Sequence, residues 1–97
     1  MITVKNLMEV EKQLLTIENS DKKFELDLNG LLKLKKYEKQ VGEITDLFFK
    51  SQVEYANKII KYENYEKLLA DYHDKLGDSE FDFDLSEIND FINKLNK

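Results

Sequence analysis

Apolar residues recur along most of this chain at intervals of three and four, the spacing that lines one face of an α-helix. Leu7, Val10, Leu14 and Ile17, thickened by Met8 and Leu15, predict a helix over 7–18. Asn6 is its expected N-cap, with Glu9 three residues on to reach back. Asn19-Ser20-Asp21 is a turn-forming cluster that ends it. The residues before Asn6, Ile2 to Lys5, are compatible with a short extended start.

The period then changes. Phe24-Glu-Leu-Asp-Leu28 alternates apolar and acidic, a short strand signal. Asn29-Gly30 follows, as a hairpin turn or as a helix start. A two-residue hairpin there pairs Leu26 with Lys33 and Phe24 with Lys35, placing apolar residues opposite lysines throughout. As a helix start, Asn29 caps a stripe of Leu34, Tyr37, Val41, Ile44 and Phe48 at spacings of 3, 4, 3 and 4. The helix reading is the consistent one. The stripe continues through Phe49, Val53, Ala56 and Ile60, a drift that a straight helix produces against a seven-residue repeat. The predicted helix covers 30–61, roughly 48 Å at 1.5 Å per residue. Gly42 lies inside it, where glycine is tolerated, admits a neighbouring helix or marks a bend.

Tyr62, Tyr65, Leu69, Tyr72 and Leu76 form a further stripe in a different phase. They predict a helix over 65–76 that folds back on the long one, with Asn64 as N-cap and Gly77 as the residue just past its end. Phe81-Asp-Phe-Asp-Leu85 alternates again. Ser86 then caps a last helix carrying Ile88, Phe91, Ile92 and Leu95. The two alternating segments suggest a pair of strands laying Phe24, Leu26, Phe81 and Phe83 on the helices. Such a pair also sets Glu25, Asp27, Asp82 and Asp84 on one face, a like-charge conflict. The fold class expected is mainly α: an antiparallel helical hairpin with short N- and C-terminal helices and at most a small two-stranded sheet.

Ninety-seven residues form one domain, 1–97, with 41% hydrophobic and 36% charged residues, a folded and soluble composition. Net charge is −5, and it is unevenly placed. Residues 1–70 hold 12 acids and 12 lysines; residues 71–97 hold eight acids and three lysines. Between Leu76 and Asn93 there is no lysine. No run of apolar residues is long enough to span a membrane, and the N-terminus carries no secretory pattern, so a cytoplasmic location is expected.

Composition also removes chemistries. Without cysteine there is no disulfide, no thiolate nucleophile and no Cys-based zinc site. All 15 basic residues are lysine, so the bidentate arginine contacts common in phosphate and base recognition are missing, and direct nucleic-acid binding is disfavoured. His73, the lone histidine, has Leu69, Ala70, Leu76 and Gly77 as helical neighbours; none is a metal ligand or catalytic partner. Asp78, Glu80, Asp82 and Asp84 resemble a calcium loop only in spacing. Counted from Asp78, the glycine and glutamate of an EF-hand are replaced by Phe83 and Asn89. Tyr62, Tyr65 and Tyr72 read as packing residues with the hydroxyl at the boundary, or as a partner surface. No metal, cofactor or catalytic residue is expected.

From Phe24 onward the chain resembles a group of small tailed-phage and prophage proteins of low-GC bacteria. Leu34-Lys-Lys-Tyr37, Val41-Gly-Glu-Ile44, Lys58-Ile-Ile-Lys-Tyr62 and Glu80-Phe-Asp-Phe-Asp-Leu85, leading into Ser86-Glu-Ile88, carry the likeness. Lys, Asn and Ile make up 30 of the 97 residues, the bias of an AT-rich genome. The resemblance implies a phage or prophage origin and transfers no activity.

Together these features point to a non-enzymatic interaction protein, an assembly factor or a modulator of a host protein. The alternative is an acidic inhibitor that fills a basic nucleic-acid-binding groove. The residues expected to meet a protein partner with a basic surface are Asp78, Glu80, Asp82, Asp84, Glu87 and Asp90. The stripe itself is testable. Phe48→Ala is expected to cost about 3–5 kcal/mol, enough to unfold a domain this small. An unchanged circular-dichroism melt for that variant refutes the stripe.

Overall fold

A computed structural model describes residues 1–95. The order of elements is β1 (Ile2–Thr3), α1 (Val4–Glu18), a 3-10 turn (Asp21–Glu25), α2 (Leu28–Ile59), α3 (Tyr65–Gly77), β2 (Glu80–Phe81) and α4 (Ser86–Leu95). The mainly helical class, the long helix and the returning α3 all follow the sequence pattern. The molecule is elongated, 53 × 25 × 18 Å, as a 32-residue helix demands.

On α1, Val4, Leu7, Val10, Leu14 and Ile17 are all buried. Leu7, Val10, Leu14 and Ile17 meet Leu34, Tyr37 and Val41 of α2, and Ile88 and Ile92 of α4 close the cluster. The cap is three residues earlier than Asn6. Thr3 Oγ1 accepts from the Asn6 amide at 3.2 Å, and Asn6 Oδ1 accepts from the Thr3 amide at 3.1 Å. Asn6 is thus the third helical residue of a capping box, and Val4 joins the buried face.

Residues 24–28 are not a strand. Ser20 caps a 3-10 turn, Phe24 points to solvent at 83% exposure, and Leu26 alone of the three apolar residues packs on the core. The alternating pattern carried no partner: the strand that residues 80–81 pair with is β1. Ile2 opposes Phe81 and Thr3 opposes Glu80 in an antiparallel bridge. The like-charge conflict disappears with the pairing that created it. Beyond Phe81 the chain leaves the sheet, although Phe83 and Leu85 still turn inward while Asp82 and Asp84 stay exposed.

Asp27, not Asn29, caps α2, its Oδ1 accepting from the Gly30 amide at 2.8 Å. The stripe Leu34, Tyr37, Val41 and Phe48 is buried, and Ile44 half-buried. Its continuation differs from the predicted one. Phe49, Val53 and Ile60 are exposed, while Phe48, Gln52, Tyr55 and Ile59 turn toward the interior. Phe48 and Tyr55 lie against His73 and Tyr72 of α3, with ring centroids 5.4 and 4.3 Å apart. Gln52 hides this register from a hydrophobic count. Its Oε1 lies 2.6 Å from His73 Nδ1, which donates to it. His73 is thereby a core-edge residue.

The glycines divide. Gly42 has open space: an added Cβ meets only Glu11 Oε2 at 4.0 Å, so it is a tolerated residue in an unbroken helix. Gly77 does not end α3 in a left-handed turn, since none of the described residues has positive φ. It is buried, and an added Cβ would lie 3.1 Å from Lys5 Cε and 3.8 Å from Phe48 Cζ. A side chain there would crowd the Lys5 methylenes, which would have to give by a few tenths of an ångström.

Where α1 ends beside α2, two carboxylates meet. Glu18 Oε1 accepts from Lys35 Nζ at 2.7 Å and Lys23 Nζ at 2.9 Å, which holds its carboxyl down to about 2. Burial and the adjacent Glu18 raise Glu38 instead, despite Lys35 at 3.8 Å. Glu18 therefore contributes stability that is full above its usual 4.5 and is lost as pH falls toward 2. Glu38 has the opposite sign: the fold prefers it protonated, so stability is lost as pH rises through its raised value. Glu38→Gln is expected to raise Tm at pH 7 and to leave it unchanged near pH 3. Equal shifts at both pH values in thermal melts contradict this assignment.

Candidate functional site

The six acids expected to face a partner all lie on exposed residues, but the fold uses three of them. Asp78, just past α3, accepts from Lys5 Nζ at 2.8 Å. This hydrogen bond is the main reason the lysine is held above its ordinary value. Asp84 Oδ1 accepts from the Ser86 amide at 2.9 Å, and that bond lowers its carboxyl. Ser86 is therefore not a cap but the first residue of α4, and Asp84 satisfies its amide from two residues ahead.

Glu87 reaches across to α2. Its Oε1 accepts from the Tyr37 hydroxyl at 2.7 Å. Tyr37 is 1% exposed, with its ring edge-on to Phe91 at 5.4 Å. Burial first, and the neighbouring carboxylate second, push its phenol up to about 12, so it stays a donor. Sequence periodicity found Tyr37 as an apolar stripe residue; nothing in the pattern gave its hydroxyl a partner fifty positions away.

Glu80, Asp82 and Asp90 have no side-chain partner among the described residues. They are the carboxylates left for an external group. Beside Glu80 lies an apolar groove of about 400 Å³, formed by Val4, Ile44, Leu47, Phe48, Leu76 and Phe81. Sequence reasoning missed it, because β2 and the end of α3 meet α2 only in three dimensions. Leu47, outside the predicted stripe, was its one available signal. A second opening of about 660 Å³ separates Met8 and Leu15 of α1 from Phe49 of α2. The tyrosines split: Tyr72 stacks on Tyr55, and Tyr62 is half exposed after α2.

Among the described residues, no three His, Asp or Glu side chains gather as a metal site. His73 faces Gln52 and Phe48, with neither a nucleophile nor a carboxylate in contact. No described helix is long and apolar enough to cross a membrane. Comparisons with protein-family models, curated proteins and solved structures gave no match.

The Tyr37–Glu87 bond makes an asymmetric pair of variants. Glu87→Ala strands a buried phenol donor and is expected to cost about 1–3 kcal/mol. Tyr37→Phe removes that donor, leaves Glu87 to water, and costs less. Asp82→Asn and Asp90→Asn leave the melting midpoint unchanged. Chemical denaturation of the four variants checks the order; a harmless Glu87→Ala overturns it.

Proposed function

We propose that the chain is a non-enzymatic phage or prophage interaction protein, an assembly factor or a modulator of a host protein, acting in the cytoplasm on a partner with a basic surface. One observation carries this reading: an exposed apolar groove lined by Leu47 and Phe81 has an unpaired carboxylate, Glu80, on its wall, with the unpaired Asp82 two residues further on. An apolar centre with a charged surround is the anatomy of a protein interface. The phage origin is supported by the sequence resemblance.

The acid-mimic reading needs a long array of carboxylates replacing phosphates. Internal bonds to Lys5, Ser86 and Tyr37 draw three of the six away, which favours the packed interface. Capture of a partner from lysate of a low-GC host, followed by binding kinetics of the purified pair, tests the proposal. Asp82→Asn/Asp90→Asn is expected to slow association severalfold at low salt, with the loss fading at high salt. A complex that survives high salt supports the packed interface. One abolished by moderate salt and competing with nucleic acid for its partner supports the mimic instead. Wild-type association rates for the double variant at low salt refute the charged surface.

A further inference from the structure

We infer that the groove between α2 and the α3–β2 connection is the docking site of a basic amphipathic peptide segment, with bulky aliphatic side chains on one side and lysines or arginines beside them. The inference deepens the interaction reading and rests on it. Buried Val4 and Phe48 lie at the base of the groove, Ile44 and Leu47 form the α2 wall, and Leu76 and Phe81 form the other. Its volume of about 400 Å³ falls in the range of sites that enclose specific ligands. Leu47 stands at the lip, 65% exposed.

Charge decides the occupant. Glu80 lines the β2 side, and the exposed Asp82 follows Phe81 in the chain. On α2, Glu43 lies four residues before Leu47 and Glu54 seven after, so both share its face. All four are exposed and without a side-chain partner among the described residues. Over residues 43–54 and 74–82 seven acids stand against Lys50 and Lys75, and Lys5, which packs on Gly77, is already paired with Asp78. An acidic occupant meets like charge. A wholly apolar one lets Leu47 be covered but strips water from carboxylates without pairing them. A basic amphipathic segment fills the groove and pairs the rim. The opening between α1 and α2 offers no such bias: Glu11 there is bound to Thr45, and Lys12 stands beside it.

The test uses the full chain and two synthetic helical peptides of identical leucine spacing, one with lysine and one with glutamate at the remaining positions. In amide NMR titrations, the leucine–lysine peptide is expected to shift resonances of residues 43–51 and 76–82, and the leucine–glutamate peptide none. Leu47→Gln is expected to weaken binding about tenfold, roughly the loss of one well-buried anchor. Its unchanged thermal melt shows that the fold is intact. Glu80→Gln/Asp82→Asn is expected to weaken binding severalfold at low salt and less at high salt. Shifts centred on Met8, Leu15 and Phe49, equal binding of the glutamate peptide, or wild-type affinity for Leu47→Gln each overturn the proposal. So does a dimer in sedimentation equilibrium that Leu47→Gln dissociates, since the occupant is then a second copy. A captured partner whose binding ignores Leu47 refutes the groove and keeps the interaction reading. Peptide binding at the groove with no recoverable partner refutes that reading and keeps the groove.

Discussion

A buried phenol must find an acceptor, and that need organises the core. Tyr37 sits in the middle of the α1–α2–α4 cluster, where an unpaired hydroxyl carries the full cost of lost hydration. Its acceptor is Glu87, in the first turn of α4, and the same helix brings Ile88 and Ile92 into the cluster with α1 and α2. The bond ties the start of α4 to α2, while Phe91 closes edge-on against the ring. An apolar residue at position 37 would bury as much surface without specifying where α4 stops. Asp84 acts in the same region, holding the first amide of α4 from the preceding segment. The C-terminal helix is therefore positioned by two carboxylates and only then packed by two isoleucines.

This division bears on function. The six acids from Asp78 to Asp90 are not one surface but two populations. Asp78, Asp84 and Glu87 hold Lys5 of α1, the start of α4 and the core tyrosine; the side chains of Glu80, Asp82 and Asp90 hold nothing. A net charge counted from sequence merges them. Neutralising all six at once would lower stability, whereas the free set can be neutralised without touching a bond of the fold.

Helix existence was legible because burial repeats at the helical period and few residues interrupt it. What was not legible depended on contacts distant in sequence. Asn6 and Asn29 are plausible caps, but Thr3 and Asp27 win by presenting an oxygen at the right place ahead of the first free amides. Phe24 to Leu28 has strand periodicity, yet β2 is bridged by Ile2 and Thr3, and a lone alternating segment has no ladder to join. In the second half of α2 a polar residue, Gln52, occupies the interior register, because His73 supplies its partner from α3. Hydrophobic counting steps over such a residue and lands on Phe49 and Val53, one position away and in solvent. The six acids were legible as charge; the groove beside them was not, because its walls come from four separate elements.

The groove itself follows from a small side chain. At Gly77 the end of α3 approaches close enough for the Lys5 methylenes and the Phe48 ring to cover its backbone. That approach places Lys5 on Asp78 and sets Leu76 and Ser79 beside α2. The β1–β2 bridge then holds Glu80 and Phe81 on the same side, so the wall facing Ile44 and Leu47 is built by packing from one end and backbone pairing from the other. Neither device covers Leu47. A helix of 32 residues carries more apolar surface than α1 and α3, of 15 and 13 residues, can enclose: Leu28, Leu32, Leu47, Phe49 and Val53 all stay exposed, and of these Leu47 lines the groove. Leu47 is thus an open apolar residue sharing a groove with the unpaired carboxylate of Glu80, whose charge works against the approach of like copies.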